Sequence, residues 1–298
     1  MTQLLSKTQY KRSEKGEFHE IAYRSLDGTI SLIHSYPWDT ERSLASVELT
    51  CPSITIEHPK KTYLKIGPYF SGKYCLYYLG TNNQVKFKTV NTIQNACEWV
   101  KIYFQQQGKL EGFKNYGLTI RPASHFVTNP FEYTTNTNAV IRFFILPIIL
   151  LLITTGIIGL IFICRPDASG IFSLMGLMLA FFCVSFSPMI YLYFNYSSAD
   201  KDYYLRISRG HEEFTYGTKD NRKSYNKQTI ARIETYKNTS PRNPWGECQV
   251  YTITFKDGEQ ICFTSLLISG TNLLIKFPDN EVSVHHKFFP TVESVGQV

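Results

Sequence analysis

The chain has 298 residues, a formal net charge of +7 and 15% aromatic residues. Its seven cysteines, at positions 51, 75, 97, 164, 183, 248 and 262, are odd in number and form no Cys-x-x-Cys pair. That argues against a disulfide framework and a zinc ribbon, and it suits a reducing compartment. The positive charge is spread thinly, +5 over residues 1–139 and +1 over residues 196–298, so neither region reads as a nucleic-acid binder.

Residues 1–110 read as an N-terminal α+β cytoplasmic domain rich in strands. "EFHEIAYRS" and "TISLIHSY" flank the turn signal "LDG" and predict a first hairpin. "SITIEH" and "TYLKIG" follow as strands, then "KYCLYYLG" and "QVKFKTV", joined by "TNN". "NTIQNACEWVKIYFQQQG" is the clearest soluble helix: Ile93, Ala96, Cys97, Val100 and Phe104 fall on one stripe. Asn91 or Thr92 caps its start and Gly108 ends it. Residues 111–139, including "SHFVTNPFEYTTNTN", read as a linker.

Residues 140–196 read as a two-helix transmembrane hairpin. Phe143–Cys164 runs for 22 residues and Ile171–Phe194 for 24 without a charge. At 1.5 Å per residue, each reaches across a hydrocarbon core of roughly 30 Å. The 16 Leu, Ile and Phe of the first run favour insertion by very roughly 5–10 kcal/mol. Six residues, Arg165–Gly170, join the runs, so the helices are expected to be antiparallel neighbours. Arg142, Lys201, Arg206 and Arg209 stand on the side of the termini, against Arg165 and Asp167 in the turn. The positive-inside rule then places both termini in the cytoplasm. Gly176 and Ala180 form a small-x-x-x-small pair suited to close helix approach. Tyr191, Tyr193 and Tyr196 read as an interfacial aromatic belt. With no Asp, Glu, Lys, Arg or His inside the spans, the hairpin reads as an anchor rather than a transport path.

Residues 197–298 read as strands closed by a helix. "YYLRIS" and "EEFTYG" pair, "GTKDNRKS" is a polar turn, and "QTIARIETYKN" is a long strand. "QVYTITFKDGEQICFTS" is a hairpin whose turn type decides its faces. A three-residue turn with a left-handed Gly258 sets Ile253 opposite Ile261 and Tyr251 opposite Phe263. That gathers the large apolar groups on one side. "LLISGTNLLIKF" is expected to be the closing helix and "EVSVHHKFF" a last strand.

The membrane hairpin, the "LRISRG…FTYG" strand pair, "SYNKQTIARI", the "DG" hairpin and the closing helix resemble the bacterial pleckstrin-homology-like (PH-like) membrane proteins over about residues 140–290. The resemblance implies a PH-like β-sandwich or barrel with a capping helix behind a transmembrane pair, serving docking or assembly at the cytoplasmic membrane face. It implies neither a lipid nor a protein ligand for that domain.

Chemistry-bearing motifs are sparse. "HEE" at 211–213 lacks a zincin's second histidine, and His285 and His286, adjacent on a strand, point to opposite faces. There is no phosphate loop and no Gly-x-Ser-x-Gly elbow. Cys97 and Cys262 sit among apolar neighbours and read as structural. The densest aromatic stretch, "KTYLKIGPYFSGKYCLYYLG", offers Tyr63, Tyr69, Phe70, Tyr74 and Tyr77 as a candidate partner-binding face, interleaved with lysines. The expected function is that of a bacterial inner-membrane interaction or scaffold protein facing the cytoplasm, without catalysis, cofactor or metal. Its expected contacts are the lipid bilayer and a protein partner, not nucleic acid. The alternative is a membrane-resident immunity protein against a bacterial toxin.

Overall fold

Strand β1 (Leu4–Gln9) opens the chain, ahead of any strand that the sequence pattern predicts. A computed structural model describes residues 2–42, 48–117, 119–164, 170–240 and 243–292, so the turn residues Arg165 and Asp167 lie outside the described residues. The chain divides into two units, Met1–Pro130 with Ser208–His211, and Phe131–Ile207 with Glu212–Val298.

In the N-terminal unit, β1 is followed by β2 (His19–Arg24), α1 (Leu26–Ser35) and α2 (Trp38–Arg42). Then come β3 (Ser53–His58), β4 (Thr62–Pro68), β5 (Tyr74–Leu79), β6 (Val85–Val90), α3 (Ile93–Gln105) and the short β7 (Lys114–Asn115). The strands make one antiparallel sheet in the order β2-β1-β3-β4-β5-β6-β7. Alternate residues Leu4, Ile54, Ile56, Leu64, Ile66 and Leu76 share a core with Ile33 of α1 and with Val100 and Tyr103 of α3. The predicted hairpin around "LDG" is therefore corrected, because "TISLIHS" is helix α1. Ser25 caps it by accepting from the Gly28 amide at 3.2 Å, and Leu26, Ile30 and Ile33 recur at helical spacing on the core side. Helix α3 has the predicted Thr92 cap and runs to Gln105; Gly108, past its end, holds φ +81° and donates its amide to the Tyr103 carbonyl at 2.9 Å. A Cβ at Gly108 would lie 2.6 Å from Thr62 Oγ1, so a side chain there meets both strain and a clash. Tyr103 is fully buried on the helix stripe and Phe104 only partly.

The opposite sheet face is covered too. Tyr63, Cys75, Tyr77, Leu79 and Val85 pack with Phe126, whose ring is fully buried. Phe126 falls in the stretch expected to be linker; a single 3-10 turn, Pro122–His125, presents it to the sheet.

The second unit begins with β8 (Glu132–Thr134), also inside the expected linker. Helices α4 (Thr137–Cys164) and α5 (Ile171–Ala199) follow, then β9 (Tyr203–Arg206), β10 (Glu213–Thr218) and β11 (Arg222–Asn226). Arg222, Lys223 and Ser224, expected to end a polar turn, instead open this third strand. β8 and β9 are antiparallel neighbours in a sheet ordered β11-β10-β9-β8, so the helical hairpin is an insertion between two paired strands. A second sheet, β14-β13-β12-β15, is built from β12 (Ile230–Lys237), β13 (Gln249–Phe255), β14 (Gln260–Thr264) and β15 (Val282–His286). β15 runs parallel to β12.

The predicted register holds here: Ile253 pairs with Ile261, Tyr251 with Phe263, and Gly258 has φ +89°. Tyr251, Ile253, Phe255, Ile261 and Phe263 join Leu205, Phe214 and Ile233 in the core. The closing helix is shorter than expected. It is α6 (Gly270–Leu274), with Gly270 at its first position rather than mid-helix. A Cβ on Gly270 would stand 2.7 Å from Gln249 Oε1, a contact that the Gln249 side chain could relieve by turning away.

α4 and α5 are both long and apolar enough to cross a membrane, and Pro147 and Pro188 lie inside them. Phe143 and Phe144 meet Tyr193 at ring distances of 5.9 and 5.1 Å. Gly176 does not serve close approach. Nothing lies within 4 Å of its Cβ position, and it lines an apolar groove with Leu151, Thr155 and Met178. The root of α5 is fused to the second sheet. Leu192 and Tyr196 are buried with Cys248, Val250 and Leu266. The Arg142 guanidinium donates to the Leu266 carbonyl at 3.1 Å, and Thr264 Oγ1 to Asp200 Oδ2 at 2.6 Å. Tyr196 is thus a packed residue rather than part of an aromatic belt, whereas Tyr191 is exposed.

Candidate binding cleft

Alternation along the second sheet sends Ile233, Tyr251, Ile253 and Ile261 inward and leaves the residues between them on its other face. The register places Glu234 beside Thr252 and Thr252 beside Cys262, a row across three strands. This row, with Tyr236 and Gln260, lines one side of a cleft of about 580 Å³. Tyr203, Tyr216 and Tyr225, one each from β9, β10 and β11, line it as well. The volume lies within the range of small-molecule and peptide-segment sites.

The aromatic groups are held in place. Tyr203 and Tyr216 stack with centroids 5.2 Å apart, and Tyr216 donates to the Cys262 carbonyl at 2.6 Å. Tyr225 stacks on Phe255 at 4.7 Å and donates to Glu259 Oε1 at 2.9 Å, while Lys223 pairs with the other oxygen of that carboxylate. Glu234 is bridged by His285 at 3.1 Å and Arg232 at 3.2 Å. Burial raises the Tyr216 and Tyr225 hydroxyls above their ordinary pKa, so both remain neutral donors. Both carboxylates are already paired, and burial lifts the Cys262 thiol to about 11. Aromatic faces, neutral hydroxyls and paired carboxylates offer a ligand stacking surfaces and hydrogen-bonding groups.

A second cluster in the N-terminal unit brings Glu17, His19 and His211 together, and it can be tested as a metal centre. Glu17 is 1% exposed. Its Oε1 accepts from Ser208 Oγ at 2.6 Å, His211 Nδ1 at 2.7 Å and the Gly210 amide at 2.8 Å, and its Oε2 from the Glu14 amide at 2.7 Å. Burial alone would raise this carboxyl, but the donors from His211, Ser208 and the backbone outweigh it and hold the group at about 2. The rings of His19 and His211 stack at 4.2 Å with an 18° tilt. Their in-plane lone pairs therefore run side by side instead of converging on one ion. The residues do not fit a metal; they form a buried carboxylate knot.

The five aromatic residues singled out from the sequence do not share a face. Tyr63 and Tyr77 are core residues at 6% and 1% exposure, because β4 and β5 lie mid-sheet with both faces covered. Tyr69 packs partly against the same cluster, and Tyr74 packs on the opposite core. Phe70, at 65%, alone presents its ring to solvent. The cleft tyrosines were not singled out. Each comes from a different strand: Tyr203, Tyr216 and Tyr236 fall in strands the pattern predicts, whereas Tyr225 falls in β11, which it does not.

Residues 132–276 match the family described as PH domain. The match starts at β8, runs across the α4–α5 insertion and ends just past α6. The strands β8 to β14 and helix α6 thus form a PH-like fold that begins ahead of the hairpin, not behind it. No curated protein and no solved structure matches the chain.

Proposed function

We propose that the chain is an integral protein of a bacterial cytoplasmic membrane, that α4–α5 spans the bilayer with both termini inside, and that the PH-like unit binds a protein partner in its tyrosine-lined cleft. The observation that carries this reading is the insertion of the apolar hairpin between paired strands. β8 ends at Thr134 where α4 begins at Thr137, and α5 ends at Ala199 where β9 begins at Tyr203. Such short connections, with the Arg142 and Asp200 hydrogen bonds, hold the cleft at a fixed attitude to the membrane rather than on a tether. The excess of Arg142, Lys201 and Arg206 over the turn supports the orientation. An interaction role rather than catalysis is favoured by the paired cleft carboxylates. It is favoured too by Cys75 and Cys248, whose thiols burial lifts to about 12.

A photoreactive side chain placed at Asn221, and separately at Gln260, tests the reading in native membranes. A discrete protein adduct that disappears with Thr252→Trp, which fills the cleft, is the expected result. No adduct from either position overturns the cleft as a partner site. A toxin in the adduct would move the protein to the immunity class.

A further inference from the structure

We infer that the PH-like unit touches the bilayer a second time, through an aromatic cluster of Trp245, Phe288 and Phe289 that lies in the lipid–water interface beside the root of α5. The inference rests on the reading of α4–α5 as membrane spans. The four strands of the second sheet share one end: Lys237 pairs with both Gln249 and His286, and Val250 pairs with Thr264. At that end Cys248, Val250 and Leu266 pack on Leu192 and Tyr196 of α5. The segments 238–240, 243–248 and 287–292 adjoin the sheet at that end.

Hydrogen bonds tie the second segment to the helix root. Tyr196 donates to the Pro290 carbonyl at 2.6 Å, and the Val292 amide donates to Asn195 Oδ1 at 2.8 Å. The level of Phe288 and Phe289 along α5 is therefore set by Asn195 and Tyr196, one turn beyond the exposed Tyr191 and beside the exposed Phe194. That is the depth at which a span leaves hydrocarbon for headgroups. Phe288 is 59% exposed and Phe289 41%. Their rings lie 4.6 Å apart, and Trp245 stacks on Phe289 at 5.8 Å while its indole N–H reaches the Phe288 carbonyl at 3.2 Å. Two exposed phenylalanines braced by a tryptophan are an unfavourable surface in water. They are a favourable one in the interface, where amphipathic aromatic rings concentrate. Continuity with the apolar surface of α5 makes the lipid of the same bilayer the occupant.

The test is fluorescence quenching of the full-length protein in vesicles of phosphatidylcholine brominated at shallow acyl positions. The Trp245 contribution is the difference between the native chain and Trp245→Phe. Tyr191→Trp in the Trp245→Phe background reports whether α5 itself is in the bilayer. We expect both signals to be quenched relative to unbrominated vesicles, to a similar extent. Quenching at position 191 with none at Trp245 overturns the second contact and leaves the spans in place. Absence of quenching at position 191 overturns the spans and the contact together.

Discussion

Strand β4 and strand β13 meet opposite demands with similar side chains. Every residue of β4 from Thr62 to Pro68 is buried, whereas buried Tyr251, Ile253 and Phe255 of β13 alternate with half-buried Thr252 and Thr254. β4 lies mid-sheet with helices on one face and the Phe126 segment on the other, so its polar groups must find partners inside the protein. Lys65 does this without a carboxylate. Its ammonium donates to Gln9 Oε1 at 2.8 Å, the Leu49 carbonyl at 2.6 Å and the His125 carbonyl at 3.0 Å. The second face of β13 is only partly covered, and Thr252 on it lines the cleft. The contrast shows that a period of two reports one covered face, and that covering both erases it.

The sharpest way to break the comparison is within β13. Phe255→Ala removes a ring that stacks on Tyr225 and packs toward Phe214, and it should cost about 3–5 kcal/mol. Thr254→Ala, on the other face, should cost less than about 1 kcal/mol. Hydrogen exchange of the β13 and β14 amides in the full-length protein separates the two. Equal loss of protection would mean that the two faces are energetically alike and that the cleft face is a second core.

In β4 the corresponding experiment is a titration. Burial, with Lys7 nearby, pushes Lys65 down to about 8 from 10.5, against a smaller opposing effect of Cys51. Between these values the unfolded chain binds the extra proton, so stability rises with pH through that window and is lost as pH falls through 8. The shift corresponds to about 3 kcal/mol. The raised thiols of Cys51 and Cys75 act in the opposite direction in the upper part of this window, so the Lys65 contribution is read as a difference. The urea midpoint of the native chain relative to Lys65→Met, followed through Trp38 and Trp99 fluorescence, should rise between pH 8 and 10.5. A difference that stays constant across that window would assign the titration to another group.

The same contrast explains what could be read beforehand. The β13–β14 register was legible because only one turn geometry put Ile253, Ile261, Tyr251 and Phe263 on one side. β1 was not, since Lys7 and Gln9 are buried in it and its sequence looks polar. β11 was hidden by exposed Arg222 and Lys223 on an edge strand, and β8 by being three residues long. The parallel pairing of β15 with β12 leaves no local trace. For the candidate site, the dense run from Tyr63 to Tyr78 drew attention because its residues are contiguous, yet contiguity in mid-sheet strands means burial. Tyr203, Tyr216, Tyr225 and Tyr236 converge only once two sheets are folded.

The smallest effect concerns the segment where pattern misled. In "SLDGTISLIHS" the apolar residues Ile30 and Leu32 alternate with Thr29 and Ser31, which reads as a strand. Ile33 and Thr29 are nevertheless the buried pair, four apart on one face of α1. What tips the choice locally is Ser25. Its side chain accepts from the Gly28 amide at 3.2 Å, and its carbonyl accepts from the Thr29 amide and hydroxyl, both at 2.9 Å. Asp27 in the first turn adds favourable charge at the positive end of the helix. Ser25→Ala should therefore cost about 1 kcal/mol, and Ser25→Asp should retain most of the stability. Hydrogen exchange in residues 28–33 is the readout, with the amides of β4 as internal reference. If Ser25→Ala leaves exchange in α1 unchanged, packing of Ile33 alone selects the helix and the cap is incidental.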